Sequence, residues 1–297
     1  KGKIKMKMKL YIAAVMVVAL LFLNGCGDPS VAPLSFSYEP KIVVNAFIYP
    51  GEEIKDIVIS RNFPLSSKID TNRFVLTPGE NKVVVTINGT LLDYDPVRKS
   101  YGTNKVMVEY ATLYKLEVSA EIDGKMYSAS SETKTPNGDF ALVNSNLGEF
   151  KYTSEVTPKV EFTTIPGVDF YLVSVLPHNP TTENFIYDNA FMPNLDKKDV
   201  LKELNNYSFQ SIVAQNIITS SPVNYGIGIR KFNYWFYDTY KVVVYAGDQN
   251  FRNFAITAGN VKDMDGNFHE PLINIKGDGI GVFASAVKKV ASFTITR

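Results

Sequence analysis

The chain has 297 residues, 45% of them hydrophobic and 21% charged, and its 31 basic and 30 acidic side chains leave a net charge of +1. That balance belongs to globular rather than disordered chains, and the length is enough for two domains with cores of their own. One cysteine excludes a disulfide within the chain, and no long basic block provides the electrostatic footprint of a nucleic-acid partner.

The chain opens with Lys1, Lys3, Lys5, Lys7 and Lys9, then an uncharged run of 14 residues from 10 to 23, then Asn24, Gly25 and Cys26. A basic start, a short apolar run and a small residue before the cleavage point predict a secretory signal peptide. The run is shorter than the ~20 residues a helix needs to cross the hydrocarbon core. Leu23-Asn24-Gly25-Cys26 resembles the lipobox of bacterial lipoproteins, in which the cysteine sulfur is lipidated. The expected organisation is a signal peptide over 1–25 and a lipidated Cys26 with its tether over 26–35, so that the lipid makes a membrane the first partner. Residues 1–25 hold five of the 31 basic residues and none of the 30 acidic ones, so the mature chain carries 26 against 30, a net charge of −4.

Beyond the tether, alternation of period two begins. Ile42, Val44, Ala46 and Ile48 share one face of a strand that closes at Pro50-Gly51, and Ile57 and Ile59 mark the next. Val83, Val85 and Ile87 run into Asn88-Gly89, which suits a type I′ hairpin turn. Tyr114, Leu116, Val118, Ala120 and Ile122 form the cleanest alternating set, followed by Asp123-Gly124 and a return strand through Met126 and Tyr127. This spacing predicts an all-β fold that begins with an immunoglobulin-like sandwich over 36–136. Pro136-Asn137-Gly138 marks the expected boundary, and 137–297 is expected to be a second β-rich domain with short helical insertions. Strands are predicted over 160–164, 170–175, 234–236, 239–246 and 290–296. Helices are predicted over 195–204, with Asp196 as N-cap, and over 251–261.

Four sites could carry chemistry. Gly279-x-Gly281-x-x-Ala284 matches the dinucleotide fingerprint in form, but the acidic residue required about 20 positions later would fall beyond Arg297; the glycines read as a bend or bulge entering a final strand. Asp263, Asp265, Asn267 and Glu270 form an oxygen-rich loop able to hold Ca²⁺, although not at EF-hand spacing, and such residues are also ordinary turn chemistry. His178 and His269 are the only histidines and match no metalloprotease spacing, and no Gly-x-Ser-x-Gly elbow occurs. The fourth is the aromatic run Tyr234-Trp235-Phe236-Tyr237 with Tyr240 behind it. On a strand, Tyr234 and Phe236 would face the core, leaving Trp235 and Tyr237 opposite, with Tyr240 nearby, to stack on a ligand.

The segment from Tyr38-Glu39-Pro40 through Phe47-Ile48, with Pro50-Gly51-Glu52, resembles the start of a family of Bacteroidota outer-membrane lipoproteins catalogued as domain of unknown function 4249. Residues 114–129, Glu270-Pro271, Asn274-Ile275 and Gly279-Ile280-Gly281-Val282-Phe283 fit its pattern too. The resemblance implies an outer-membrane lipoprotein with no assigned catalytic residues, often encoded beside a TonB-dependent transporter. The expected function is therefore non-catalytic, an accessory that helps such a transporter to capture or deliver a nutrient, with no cofactor. The alternatives are a structural or adhesive envelope lipoprotein and a carboxylate-based hydrolase.

Overall fold

The computed structural model describes residues 38–64, 74–189, 195–257 and 272–297. The predicted signal peptide, Cys26 and the Asp263–Glu270 loop lie outside them. The chain is all-β, with a few short helices.

The first eight strands are β1 (Ile42–Ile48), β2 (Glu53–Arg61), β3 (Val84–Ile87), β4 (Thr90–Leu91), β5 (Asp93–Asp95), β6 (Ser100–Met107), β7 (Leu113–Ile122) and β8 (Lys125–Lys134). A four-residue helix α1 (Pro78–Asn81) precedes β3. Strands β1-β2-β6-β5 form one sheet segment and β4-β3-β7-β8 the other. Their inward residues meet in one core, with Ile42, Val44, Ala46 and Ile48 facing Leu116, Val118, Ala120 and Ile122. Alternation dictates this, because every second side chain of a strand points to one face. Each buried Ile, Leu or Val contributes about 1.5–3 kcal/mol. In chain order the eight strands occupy positions A, B, C, C′, D, E, F and G of an immunoglobulin sandwich, A-B-E-D packing on C′-C-F-G. The Asn88-Gly89 and Asp123-Gly124 turns have positive φ at both residues, as a two-residue hairpin turn demands.

The remaining strands are β9 (Asn146–Lys151), β10 (Lys159–Thr163), β11 (Phe170–Pro177), β12 (Gln210–Gln215), β13 (Asn224–Gly228), β14 (Thr239–Gly247), β15 (Lys276–Gly277) and β16 (Gly279–Thr296). Three helices intervene, α2 (Lys197–Lys202), α3 (Leu204–Tyr207) and α4 (Gln249–Thr257). Asp196 caps α2 by accepting the Lys198 amide at 2.7 Å. Strands β12-β11-β14-β16, with β9 parallel to β16, form one layer, and β10-β13 the other. This is a second immunoglobulin-like order: A′, B, C, C′, E, F and G, with no strand at position D among the described residues. Sequence periodicity indicated a β-rich half but not this order, which depends on which strands pair.

Residues before 136/137 build one core and residues after it another, with Ile275 and Phe283 from the C-terminal segment joining the first. Residues 40–297 form one compact unit. The 18-residue β16 pairs in parallel with β1 through Gly279–Ser285 and antiparallel with β14 through Ala286–Thr294. Phe283 therefore lies in the first core, and Val287, Ala291, Phe293 and Ile295 in the second. Just before it, β15 pairs with β8. Strands β1 and β8 would otherwise present rows of unpaired backbone groups, and the C-terminal segment covers both edges. Gly281, at φ +111°, lies inside β16 rather than at a bend, and a Cβ there would sit 2.0 Å from the Val44 carbonyl oxygen.

Between the sandwiches is a polar cluster. Asp248, at the start of α4, accepts the Phe251 amide at 2.8 Å, the Ser285 amide at 3.2 Å and the Thr133 hydroxyl. Asn274 reads the backbone of β16, accepting the Phe283 amide at 3.0 Å and donating to the Phe283 carbonyl at 2.6 Å. Burial pushes the Asp248 carboxyl above its ordinary range, and the hydrogen bonds from Thr133, Phe251 and Ser285 offset this only in part. An acid whose folded pKa is raised binds its proton more tightly in the native state. Its contribution to stability is therefore full below the unfolded carboxylate value, about 3.9, and is lost as pH rises towards the folded value. Urea midpoints measured from pH 4 to 7 are expected to fall less with rising pH in Asp248→Asn than in the wild type. Parallel profiles would show that this carboxyl is not the source.

Candidate functional site

The aromatic run at 234–237 is not a strand. It follows one 3₁₀ turn (Lys231–Asn233) and forms the corner leading into β14, with a single bridge between Phe236 and Phe185. Tyr234, Trp235, Phe236 and Tyr240 are all buried. The Tyr240 hydroxyl accepts the Phe236 amide at 2.7 Å and the Trp235 amide at 3.1 Å and donates to the Phe236 carbonyl at 2.9 Å. This is the tyrosine corner of immunoglobulin-like folds, which ties the E–F connection to strand F. Tyr114 makes the equivalent bond at the E–F corner of the first sandwich, accepting the Glu109 amide at 2.8 Å. Tyr171 accepts the Ile165 amide at 2.7 Å in the same manner before β11. Trp235 is stacked on Phe185 at 6.0 Å and lies 5.0 Å from Tyr207. Tyr237 is half-buried between Tyr152, at 6.1 Å, and the guanidinium of Arg297. Trp235, Tyr237 and Tyr240 thus share no open face, although the buried Trp235 Nε1 has no hydrogen-bond partner among the described residues.

The aromatic surface lies elsewhere, on the outer face of the sheet β12-β11-β14-β16-β1. A groove of about 410 Å³ is lined by Phe47, Tyr49, Leu172, Phe209, Tyr245, Phe251 and Phe254, with Ser174 and Ser211. Five elements and the residue before β12 supply it. β1 contributes Phe47 and leads into Tyr49, both out of phase with its core residues. β11 contributes Leu172, β14 contributes Tyr245, and α4 lays Phe251 and Phe254 across the sheet. Phe47 packs edge to face on Phe251 and Phe254, 5.8 Å from each, and Tyr245 lies tilted against Phe251 at 5.6 Å and Tyr49 at 6.4 Å. Each such pair adds about 0.5–1.5 kcal/mol to burial alone.

One end of the groove is charged. Lys288 Nζ sits 3.6 Å above the Tyr49 ring and 3.0 Å from the Glu52 carboxylate, to which Lys55 also pairs at 3.1 Å. Burial raises the Glu52 carboxyl, but the hydrogen bonds and charges of Lys288 and Lys55 outweigh it and hold it below the ordinary carboxylate range. Burial, with the neighbouring tyrosine and Glu52, pushes Tyr49 far above the usual phenol value, and burial, with Glu52, raises Tyr245. Both phenols therefore stay protonated at any physiological pH. Neither hydroxyl has a hydrogen-bond partner among the described residues. The groove thus offers apolar rings, two free donors and a cation, with no nucleophile–base pair in its lining. No group of three or more metal-ligating side chains occurs among the described residues.

Sequence reading missed this groove because its rings are scattered from 47 to 254. The legible signal was phase: Phe47 and Tyr49 fall on the non-core face of β1, and Tyr245 falls opposite Val242, Val244 and Ala246.

The model of a family described as a domain of unknown function, DUF4249, matches residues 28–289. The chain belongs to that family. No curated protein matches it. Among solved structures, one concerning host cell surface retention of a 1.5-MDa bacterial ice-binding adhesin is similar at 9% identity and a TM-score of 0.20. That likeness covers 87% of this chain and only 65% of the adhesin chain, and at that score carries no argument. In this DUF4249 member, then, the match covers the first sandwich, the second as far as residue 289 within β16, and every groove residue from Phe47 to Phe254.

Proposed function

We propose that this DUF4249 protein is a non-catalytic, lipid-anchored outer-membrane lipoprotein that serves a TonB-dependent transporter, and that the groove beneath α4 receives the captured molecule. The observation that carries the reading is the pair of unpartnered phenols, Tyr49 and Tyr245, set in a row of rings on a rigid sheet. Apolar walls with a few convergent polar groups are the usual form of a small-molecule site. The lipobox-like Leu23-Asn24-Gly25-Cys26 and the resemblance of the opening segment to outer-membrane lipoproteins support the address and the partner in this reading.

The full-length tagged protein, taken from outer membranes in mild detergent, is expected to bring a β-barrel transporter with it in stoichiometric amount, identified by mass spectrometry. Recovery of the chain alone, under conditions that keep other lipoprotein–transporter pairs together, would transfer support to a structural envelope role. Native mass spectrometry of the same material tests the groove. Tyr245→Ala is expected to weaken retention of the bound small molecule about tenfold, equivalent to losing about 1.4 kcal/mol of contact. Unchanged retention would remove the groove from the mechanism.

A further inference from the structure

The two sandwiches differ at one position, and the difference leaves an open slot. In the first, β5 pairs with the free edge of β6, giving the order A-B-E-D. In the second, β13 is the strand equivalent to β6. It pairs with β10 on one side, and among the described residues nothing pairs with its other edge. Across from it, β12 ends the larger sheet, and its outer edge is likewise unpaired. Between these two edges runs a groove of about 680 Å³, lined by residues of β12 and β13 with Arg230, Phe232 and Asn233.

Proteins usually protect such edges with charge, proline or a bulge. This one lacks charge throughout: residues 209–229 contain no Asp, Glu, Lys or Arg. Val213 is 43% exposed, and Ile218, in the connection between the strands, is 87% exposed. On the β13 wall, Gly228 presents bare backbone, where a Cβ would meet nothing within 4 Å, while the Lys159 side chain from β10 lies over Gly226. Arg230 is the one charged residue in the lining, and it has no ion-pair partner among the described residues.

We propose that this slot binds an extended segment of a partner polypeptide, which adds to β13 as the antiparallel strand that β5 provides for β6. The hydrogen-bonding edges define the occupant as a β-strand rather than a helix or a small molecule. The five residues of β13, at about 3.3 Å each, define a core of five or six residues. The uncharged walls select an uncharged segment, and Arg230 selects an acidic residue or a carboxylate at one end. The slot runs along the outer edge of β12 and shares Ser211 with the aromatic groove, but it depends on backbone pairing to β13, so either could fail alone.

The test is selection of a random linear peptide library displayed on phage against the purified full-length protein. Enriched sequences are expected to be uncharged, rich in Val, Ile and Thr at alternate positions, and acidic at one end. A synthetic peptide of the winning sequence should lose at least tenfold in affinity when its alternate amides are N-methylated, because the strand hydrogen bonds are removed. Arg230→Glu should also weaken it about tenfold, while binding of the same peptide with its acidic end neutralised should change less than twofold. Enrichment of nothing, or of amphipathic helical sequences, overturns the proposal. So does a stable dimer of the chain itself that dissociates in Val213→Lys, since a second copy would then be the occupant.

Discussion

Tyr240→Phe is expected to destabilise the protein by about 3–5 kcal/mol, although it removes a single oxygen atom. That oxygen satisfies two buried amides and one buried carbonyl of the corner at Trp235 and Phe236. Each buried polar group left without a partner costs about 1–3 kcal/mol. The ring itself is not disturbed, since the stacking of Tyr240 on Phe293, 4.8 Å apart and nearly parallel, is available to phenylalanine. Tyr114→Phe and Tyr171→Phe remove one such bond each. They are expected to cost about 1–2 kcal/mol by the same reasoning. Urea midpoints of the three variants should therefore fall in that order. A Tyr240→Phe midpoint no lower than that of Tyr171→Phe would show that the corner is not held by its hydroxyl.

Gly281→Ala is the second large effect. A methyl group there would lie 2.0 Å from the Val44 oxygen and 3.0 Å from its carbonyl carbon, on a backbone at φ +111°. Overpacking and a disfavoured backbone conformation each cost about 1–3 kcal/mol, so a loss of about 3–5 kcal/mol is expected. The damage should be local. Amide exchange in β1 should accelerate strongly as its pairing with Gly279–Ser285 opens, while the pairs between β11 and β14 retain their protection. Gly138→Ala is the control: its Cβ would meet nothing within 4 Å, and no change beyond about 0.5 kcal/mol is expected. Equal effects at the two glycines would mean that close approach to β1 does not constrain position 281.

Both predictions turn on features that the sequence disclosed only partly. The tyrosine of the Tyr114–Ile122 alternation and the glycines at 279 and 281 are visible as residues. Their roles are not, because each depends on a partner from another element: Tyr114 on Glu109, Gly281 on Val44 some 237 positions earlier. The run at 234–237 misled for a related reason. Four adjacent aromatic residues resemble a strand by composition, whereas the Tyr240 hydroxyl draws their backbone into a corner and the neighbouring rings close over Trp235. Burial there is set by α2 and α3 and by residues 185–187, none of which is adjacent in sequence.

What the sequence alone determined is local. Period-two alternation placed β1, β7 and β11, since a strand sorts its own side chains between two faces, and β-branched and aromatic residues marked β14. Asn88-Gly89 and Asp123-Gly124 defined two hairpins, since they adopt positive φ at little cost, and Asp196 capped its helix by reaching an amide two residues away. The tertiary structure decided everything that needs two distant edges or faces to meet. It merged the two sandwiches through β16, because unpaired edges on β1 and β8 seek hydrogen bonds wherever the chain can supply them. It also assembled the groove, from rings that had to leave the core because the inward phase of each strand was already taken by Ile42, Val44, Val242 and Val244.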